Sequence, residues 1–305
     1  MFRFILKRIA EAVPVLLVVA TLAFFLARFA PGGPFDEDRA LPPEVKAEIS
    51  AHYGLDKPLA VQYAIFLKNL AHGNLGPSYK YHGWNVSELI ADRVPTSLAL
   101  GAGALVFALA VGIPLGAVAA IKPNSWLDRL PTGAATLGIC LPTFVIGPLL
   151  VLVFSNWLGW FNASGWNSPA DCVLPVVTLG LAYAAPVARL MRGSMLEIRA
   201  LDYMKTARAK GLSPARIYFV HGLRNALLPV VTYIGPTAAG LISGSFVVES
   251  MFNIPGLGQF FVKAAFNRDF TMIVGTVIFY AAVLVALNLL AEIVLVKLNP
   301  RLKYE

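Results

Sequence analysis

The side chains of this chain that are equipped for chemistry lie far apart. Four histidines, His52, His72, His82 and His221, have no spacing that would gather them around a metal, and the charge pattern sets the first three and the last on opposite sides of a membrane. The sequence has neither a G-x-x-x-x-G-K-S/T phosphate loop nor a nucleophile elbow, so if ATP drives this protein another chain binds it. Cys140 and Cys172 fall toward opposite faces of the membrane and are not expected to bridge. Four ionisable residues, Glu11, Arg28, Glu249 and Glu292, sit at the ends of apolar stretches. There they reach the interface or pair locally, as Lys7 and Glu11 can at i,i+4. An ion-coupled pump carries acids at mid-depth instead.

What remains is conduction and docking. The apolar stretch Asn225 to Val248 carries Gly235-Pro236, Gly240, Ser243, Gly244 and Ser245, with Glu249 just beyond. Small residues of this kind let helices pack closely, and a broken, weakly polar helix also lines a water-filled path. Gly240, Ser243, Ser245 and Glu249 are therefore the candidate pathway residues. The docking candidate is Asp202 to Pro229, inside a stretch with eight basic residues: Arg189, Arg192, Arg199, Lys205, Arg208, Lys210, Arg216 and Arg224. Asp202 to Lys210 lacks Gly and Pro and is rich in helix formers, so a short helix is predicted, stopped at Gly211 with Leu212, Ser213 and Pro214 after it. A short polar helix held between two membrane spans suits the grip of a soluble partner.

The elements that position these residues follow from composition. Of 305 residues 57% are hydrophobic and 14% charged, where soluble domains carry roughly 25% charged residues. The chain therefore reads as a polytopic, all-α membrane protein. Its formal charge of +8 could suit nucleic acid, but the basic residues sit between and beside apolar spans and read as a topology signal. A first span is predicted at about Ile9 to Phe29. It is read as uncleaved, because Arg28 stands where a signal-peptide cut before Pro31 would want a small residue. Further spans are predicted over Thr96 to Ile121, Ala134 to Leu158, Cys172 to Ala188, Asn225 to Val248 and Phe270 to Ala291, each able to cross roughly 30 Å of hydrocarbon. Six spans with both termini cytoplasmic place 16 of the 25 Lys and Arg on the inner side.

This divides the chain into an N-terminus with span one at 1–29, an extracytoplasmic segment at 30–95 and a core of spans two to six at 96–298. The basic loop at 189–225 lies within the core, and a tail follows at 299–305. The 30–95 segment has helical signals of its own: Pro43 to about Tyr53, Pro58 to about His72, and a cap at Asn85 with Glu88. Such helices either cover the membrane surface or form a docking surface or lid.

The motifs then carry a resemblance. Y-M-K-T-A-R-A-K-G-L-S-P-A-R-I at Tyr203 to Ile217, with H-G-L-R-N-A-L-L-P at His221 to Pro229, closely resembles the cytoplasmic loop of membrane subunits from ATP-binding-cassette importers of the peptide and nickel branch. V-V-E-S-M-F-N-I-P-G-L-G-Q at Val247 to Gln259, N-R-D-F at Asn267 to Phe270, and F-R-F-I-L-K-R-I with P-G-G-P at Pro31 to Pro34 resemble the same family. H-G-N-L-G-P-S-Y-K-Y at His72 to Tyr81 looks most like the B-type subunit of oligopeptide permeases. The general E-A-A, Gly, I-x-L-P signature is only partly kept: Lys205-Thr206-Ala207 stands for E-A-A, Gly211 matches, and His221 to Arg224 stands for I-x-L-P.

The resemblance implies a heterodimer with a second permease, two ATPase subunits that bind ATP and Mg, an extracytoplasmic binding protein and a peptide substrate, in the bacterial inner membrane among its lipids. It implies no cofactor in this chain and no ATPase site of its own. Tyr203, Lys205, Thr206, Ala207, Arg208, Ala209, Lys210, Gly211 and Leu212 would then form the coupling helix seated in an ATPase groove. Within it Ala207 supplies close approach, Gly211 the stop, and Arg208 and Lys210 the steering charge. Dipeptide and nickel importers share most of these motifs. A self-sufficient secondary transporter would need mid-membrane ionisable residues, and a membrane enzyme a catalytic pair within the spans.

Overall fold

The computed structural model describes residues 2–30, 43–213 and 216–298; the Pro31 to Pro34 motif and the 299–305 tail lie outside them. Among the described residues the chain is helical, with a single isolated bridge between Pro77 and Asn85. The helices are α1 (Phe2–Phe29), α2 (Pro43–His52), α3 (Leu59–Ala71), α4 (Val86–Ile121), α5 (Trp126–Cys140), α6 (Thr143–Leu150), α7 (Pro169–Arg199), α8 (Asp202–Ala209), α9 (Leu223–Gly244), α10 (Phe246–Met251), α11 (Leu257–Phe266) and α12 (Phe270–Leu298). Five stretches are long and apolar enough to cross a membrane: Ile5–Phe29, Val86–Ile121, Pro169–Arg199, Ile217–Met251 and Phe270–Val294.

The predicted third span, Ala134 to Leu158, is not one helix. α5 ends at Cys140, and α6 begins at Thr143 and continues as a wider π-helical stretch over Val151–Trp157. Pro142 is the cause. It has no N–H to donate and it disfavours helical backbone at Leu141, while its own extended conformation (ψ 147°) starts the next helix. A second difference is at Pro95, the predicted end of the long outer segment. α4 runs through it without a break, so the cap at Asn85 starts the same helix that goes on to Ile121.

The chain forms two compact units. The first comprises Met1–Ser97 and Pro255–Val285. In it α3 lies along α1: Phe66 stacks on Phe24 with ring centroids 5.0 Å apart, and the Tyr63 and Thr21 hydroxyls are 2.7 Å apart. The Asn85 cap forms as the sequence suggests, with Ser87 N–H donating to Asn85 Oδ1 at 2.9 Å and Asn85 N–H to Glu88 at 3.3 Å. Asp269, 1% exposed, caps the start of α12. It accepts from Met272 N–H at 3.2 Å, Tyr79 N–H at 3.3 Å, the Thr271 hydroxyl at 2.9 Å and the Ser78 hydroxyl.

The second unit comprises Leu98–Ile254 and Ala286–Glu305. Its centre is α7, which is buried along most of its length by Leu174, Leu179, Val187, Met191 and Met195 among others. Gly112 and Gly116, one turn apart on α4, bring that helix against α7. A Cβ at Gly112 would lie 2.7 Å from the Ala184 carbonyl, and one at Gly116 would run into the Ala188 carbonyl. Such spacing of small residues is a membrane helix-packing signal, legible in the sequence as G-I-P-L-G.

Candidate coupling and translocation site

The basic stretch folds as predicted: α8 spans Asp202–Ala209, Lys210 follows at its end, and Gly211 takes φ +75°. Side chains disfavour that backbone region, which is why Gly is suited to end the helix there. The helix has two faces. Met204 (0% exposed) and Ala207 (8%) pack into the chain's own core with Met195, Ile198, Ile217 and Tyr218, whereas Tyr203, Lys205, Thr206, Arg208, Ala209, Lys210 and Gly211 are exposed and Leu212 is half-buried. Ala207 thus packs toward the chain's own core, and the exposed face is made by Thr206, Ala209 and the cations.

α8 is also tied to the foot of the next membrane helix. Asn225 Nδ2 donates to the Tyr203 hydroxyl at 3.0 Å, and Ile217–Gly222 reaches α9 as a π-helical turn whose Ile217 and Tyr218 are buried in the same core as Met204. π-helical turns are rare and often mark functional sites. The sequence reading took Ile217–Gly222 for loop, because a π turn leaves no periodicity in so short a stretch.

The candidate pathway residues lie farther along the same chain segment. α9 passes Pro229 and Pro236 without ending and stops at Ser245. Gly240 faces Tyr183 of α7, whose hydroxyl would be 2.9 Å from a Cβ there. Ser245 and Glu249 are both fully buried, and the Ser245 hydroxyl donates to Glu249 Oε1 at 2.7 Å. Ser243 belongs to α9, and its side chain lies outside the described set. The structure thus joins Ser245 to Glu249, places Gly240 five residues before Ser245 against α7, and turns Gly235 toward Ala291 of α12 as a packing glycine.

Two ionic contacts were missed or misassigned. Glu11 pairs with Arg8 at 3.2 Å, where the expected neighbour was Lys7. Asp128, in the first turn of α5, receives Arg192 of α7 in a two-point contact, Nε to Oδ1 at 2.6 Å and Nη2 to Oδ2 at 2.7 Å. Asp128 also accepts from Asn124 N–H at 2.8 Å and the Thr132 hydroxyl at 3.1 Å. The guanidinium hydrogen bonds hold its carboxyl well below the usual carboxylate range. Arg192 had been read only as a topology charge; the signal available was Asp128, an acid beside a basic loop at a helix start. Cys140 and Cys172 are both free thiols. Among the described residues no group of three His, Cys, Asp or Glu is placed to hold a metal.

A multi-pass helical membrane protein with an exposed polar helix locked to the base of a membrane helix has the build of a transport permease. Residues 112–304 match the family described as the binding-protein-dependent transport system inner membrane component, and residues 1–101 match its N-terminal region. The chain belongs to this family and is a multi-pass protein of the bacterial inner membrane. It is 44% identical over its whole length to the oligopeptide transport system permease protein OppB of Haemophilus influenzae, all of which it covers, and 43% identical to that of Escherichia coli over the same extent. It is 40% identical to the dipeptide transport system permease protein DppB of Bacillus subtilis, over 99% of this chain and 98% of that one. In fold it resembles a chain of the inward-facing MetNI methionine ABC transporter, with a TM-score of 0.57 at 17% identity over 69% of this chain and 96% of that one. An amino acid ABC transporter matches with a TM-score of 0.51 at 18% identity, over 71% and 95%.

Proposed function

We propose that this chain is the permease subunit of an ATP-driven importer of oligopeptides, forming half of the pathway beside a second permease. Two ATPase subunits would bind ATP and Mg, and an extracytoplasmic binding protein would deliver peptide. Six crossings with both termini inside are proposed, the third carried by the broken pair α5 and α6. The observation that carries the mechanism is the hydrogen-bonded junction of α8 with the foot of α9. A displacement of α8 by a partner is transmitted through Met204, Ile217 and the Tyr203–Asn225 contact to the helix that ends at Ser245, as rigid-body gating requires. The full-length likeness to oligopeptide permeases supports the substrate class. The likeness to the dipeptide permease supports shorter peptides as the second reading.

The test is reconstitution of the chain with its partner subunits in vesicles. ATP-dependent uptake of tetrapeptides and pentapeptides in preference to dipeptides is expected. Uptake of dipeptides alone would favour the second reading, and uptake without the ATPases would overturn the proposal.

A further inference from the structure

In the first unit a cavity of about 330 Å³ lies among the last turns of α1, the ends of α2 and α3, and the start of α12. Its lining mixes basic, polar and apolar side chains. The basic side chains are Arg28, His52 and Lys57, and Phe24, Phe66 and Val274 are among the apolar ones. On α1, Phe24 is about 6 Å nearer the membrane centre than Arg28, at 1.5 Å per residue, and on α12 Val274 lies one turn inward from Phe270. The Phe24–Phe66 stack and the Thr21–Tyr63 contact hold α3 against the apolar part of α1.

Among the described residues Arg28 has no carboxylate partner. It donates to the Tyr79 hydroxyl at 3.3 Å and lies over the Phe24 ring at 5.4 Å. Lys57 has no acidic partner among the described residues either. Asp269, the nearby buried acid, is occupied by its four donors. Ile65, which lines the cavity, is 41% exposed, and Val61, one turn earlier on α3, is 43% exposed.

We infer that this cavity binds a glycerophospholipid, with the phosphodiester at Arg28 and Lys57 and the upper part of one acyl chain along Phe24, Phe66 and Val274. Two cations with apolar side chains in one lining fit an anionic amphiphile, and a cavity at the low end of the usual 300–1,000 Å³ for ligand sites fits a headgroup whose remaining chain stays in the bilayer. Which leaflet supplies the lipid rests on the topology proposed above; the site itself does not.

The test uses the full chain with its partners in nanodiscs of phosphatidylethanolamine and phosphatidylglycerol, doped with phosphatidylethanolamine carrying a photoreactive diazirine on one acyl chain. Crosslinks should concentrate on peptides containing Phe24–Arg28 and Phe270–Val274, above those at the exposed Val13 of α1. Arg28→Gln with Lys57→Gln should lower the cavity crosslinks at least about ten-fold, as loss of charge-assisted contacts predicts, and leave those at Val13 unchanged. Arg28→Lys, which keeps the charge, should retain most of the signal and serves if the double variant does not assemble. Labelling at the cavity no stronger than at Val13, or unchanged in the double variant, would mean bulk lipid only and overturn the site. Displacement by millimolar inorganic phosphate or by soluble peptide would overturn it in favour of a soluble ligand. None of these readings depends on whether oligopeptides are transported.

Discussion

Arg192 of α7 grips Asp128 of α5 at two points, at 2.6 and 2.7 Å, across 64 residues of sequence. The pair fixes the start of α5 to α7 just before the broken segment at Leu141-Pro142, where the backbone itself gives no continuity. Asp128 is 5% exposed at its side chain and Arg192 29%. Asp128→Asn should therefore destabilise the protein by about 2 to 3 kcal/mol, below the full buried-pair cost because Arg192 keeps some contact with water. Arg192→Lys should cost nearly as much, since an ammonium cannot make the two-point contact. Thermal unfolding of the purified protein in detergent measures both.

The same pair sets a pH dependence. Its folded carboxyl pKa is depressed, so the stability it contributes is present above the unfolded value of about 3.9 and is lost only as pH falls through the lower folded value. Between pH 7 and pH 5 the wild type and Asp128→Asn should therefore differ by a constant amount. A gap that closes over that range would show that the pair does not hold Asp128 as described.

Asp269 joins two motifs that the sequence presents separately, S-Y-K-Y after Pro77 and N-R-D-F before α12. Ser78 and Tyr79 both donate to its carboxylate, although they are 191 and 190 residues away. Asp269→Ala would leave buried donors unpaired, at about 1 to 3 kcal/mol. Asp269→Asn keeps an acceptor and should recover part of that. Limited proteolysis in the 72–85 segment should accelerate in the alanine variant. Equal rates in wild type and Asp269→Ala would contradict the bracing role.

How much of this was legible depended on the range of the interaction. Apolar runs and charge bias are local, and they located five of the membrane-length helices and α8 with its Gly211 stop. Local signals also placed helix starts at Pro43 and Pro58 and a cap at Asn85, and the helices begin at Pro43, Leu59 and Val86. The break at Leu141-Pro142 had a local signal in Pro142 that a hydropathy run overrode. By contrast the Asp128–Arg192 and Ser78–Asp269 contacts join distant stretches, and one sequence alone does not pair them. The inward face of α8 had a local signal in Met204 and Ala207, three residues apart in a polar helix, but the partners they meet, Ile217 and Tyr218, come from another element.

Orientation in the membrane can be tested on exposed positions. In a background with Cys140→Ser and Cys172→Ser, cysteines introduced at His82 or Ser164 should react with an impermeant thiol reagent added to intact cells, and one at Ser213 should not; all three positions are exposed. Asn74 and Ser168 are poorer sites, because Asn74 accepts from Gly76 and Asn85, and Ser168 caps α7 through Asp171. Labelling at Ser213 from outside would overturn both the proposed six-crossing topology and the placement of α8 beside the ATPases.

The division of α8 into two faces separates docking from folding. Thr206 and Ala209 are exposed, so Thr206→Trp or Ala209→Trp should leave the fold intact while obstructing a partner's groove. Assembly and melting temperature should stay near wild type, and ATPase association and peptide uptake should fall together. Ala207→Trp is a different experiment: at 8% exposure within the Met204 and Tyr218 core, the added bulk should destabilise the chain by about 1 to 3 kcal/mol before any partner is present. Gly211→Val tests the exit from the helix, where φ +75° would cost a β-branched residue about 1 to 2 kcal/mol and redirect the chain toward Leu212. Tyr203→Phe removes only the hydroxyl that Asn225 reaches. If that bond transmits movement, the variant should still bind the ATPases and hydrolyse ATP but transport fewer peptides per ATP. Equal transport per ATP in Tyr203→Phe and wild type would show that the packed core around Met204 and Ile217 carries the movement alone. Should the loop instead hold only anionic lipid, neutralising Arg208 and Lys210 would be the damaging change and the tryptophan variants would transport normally.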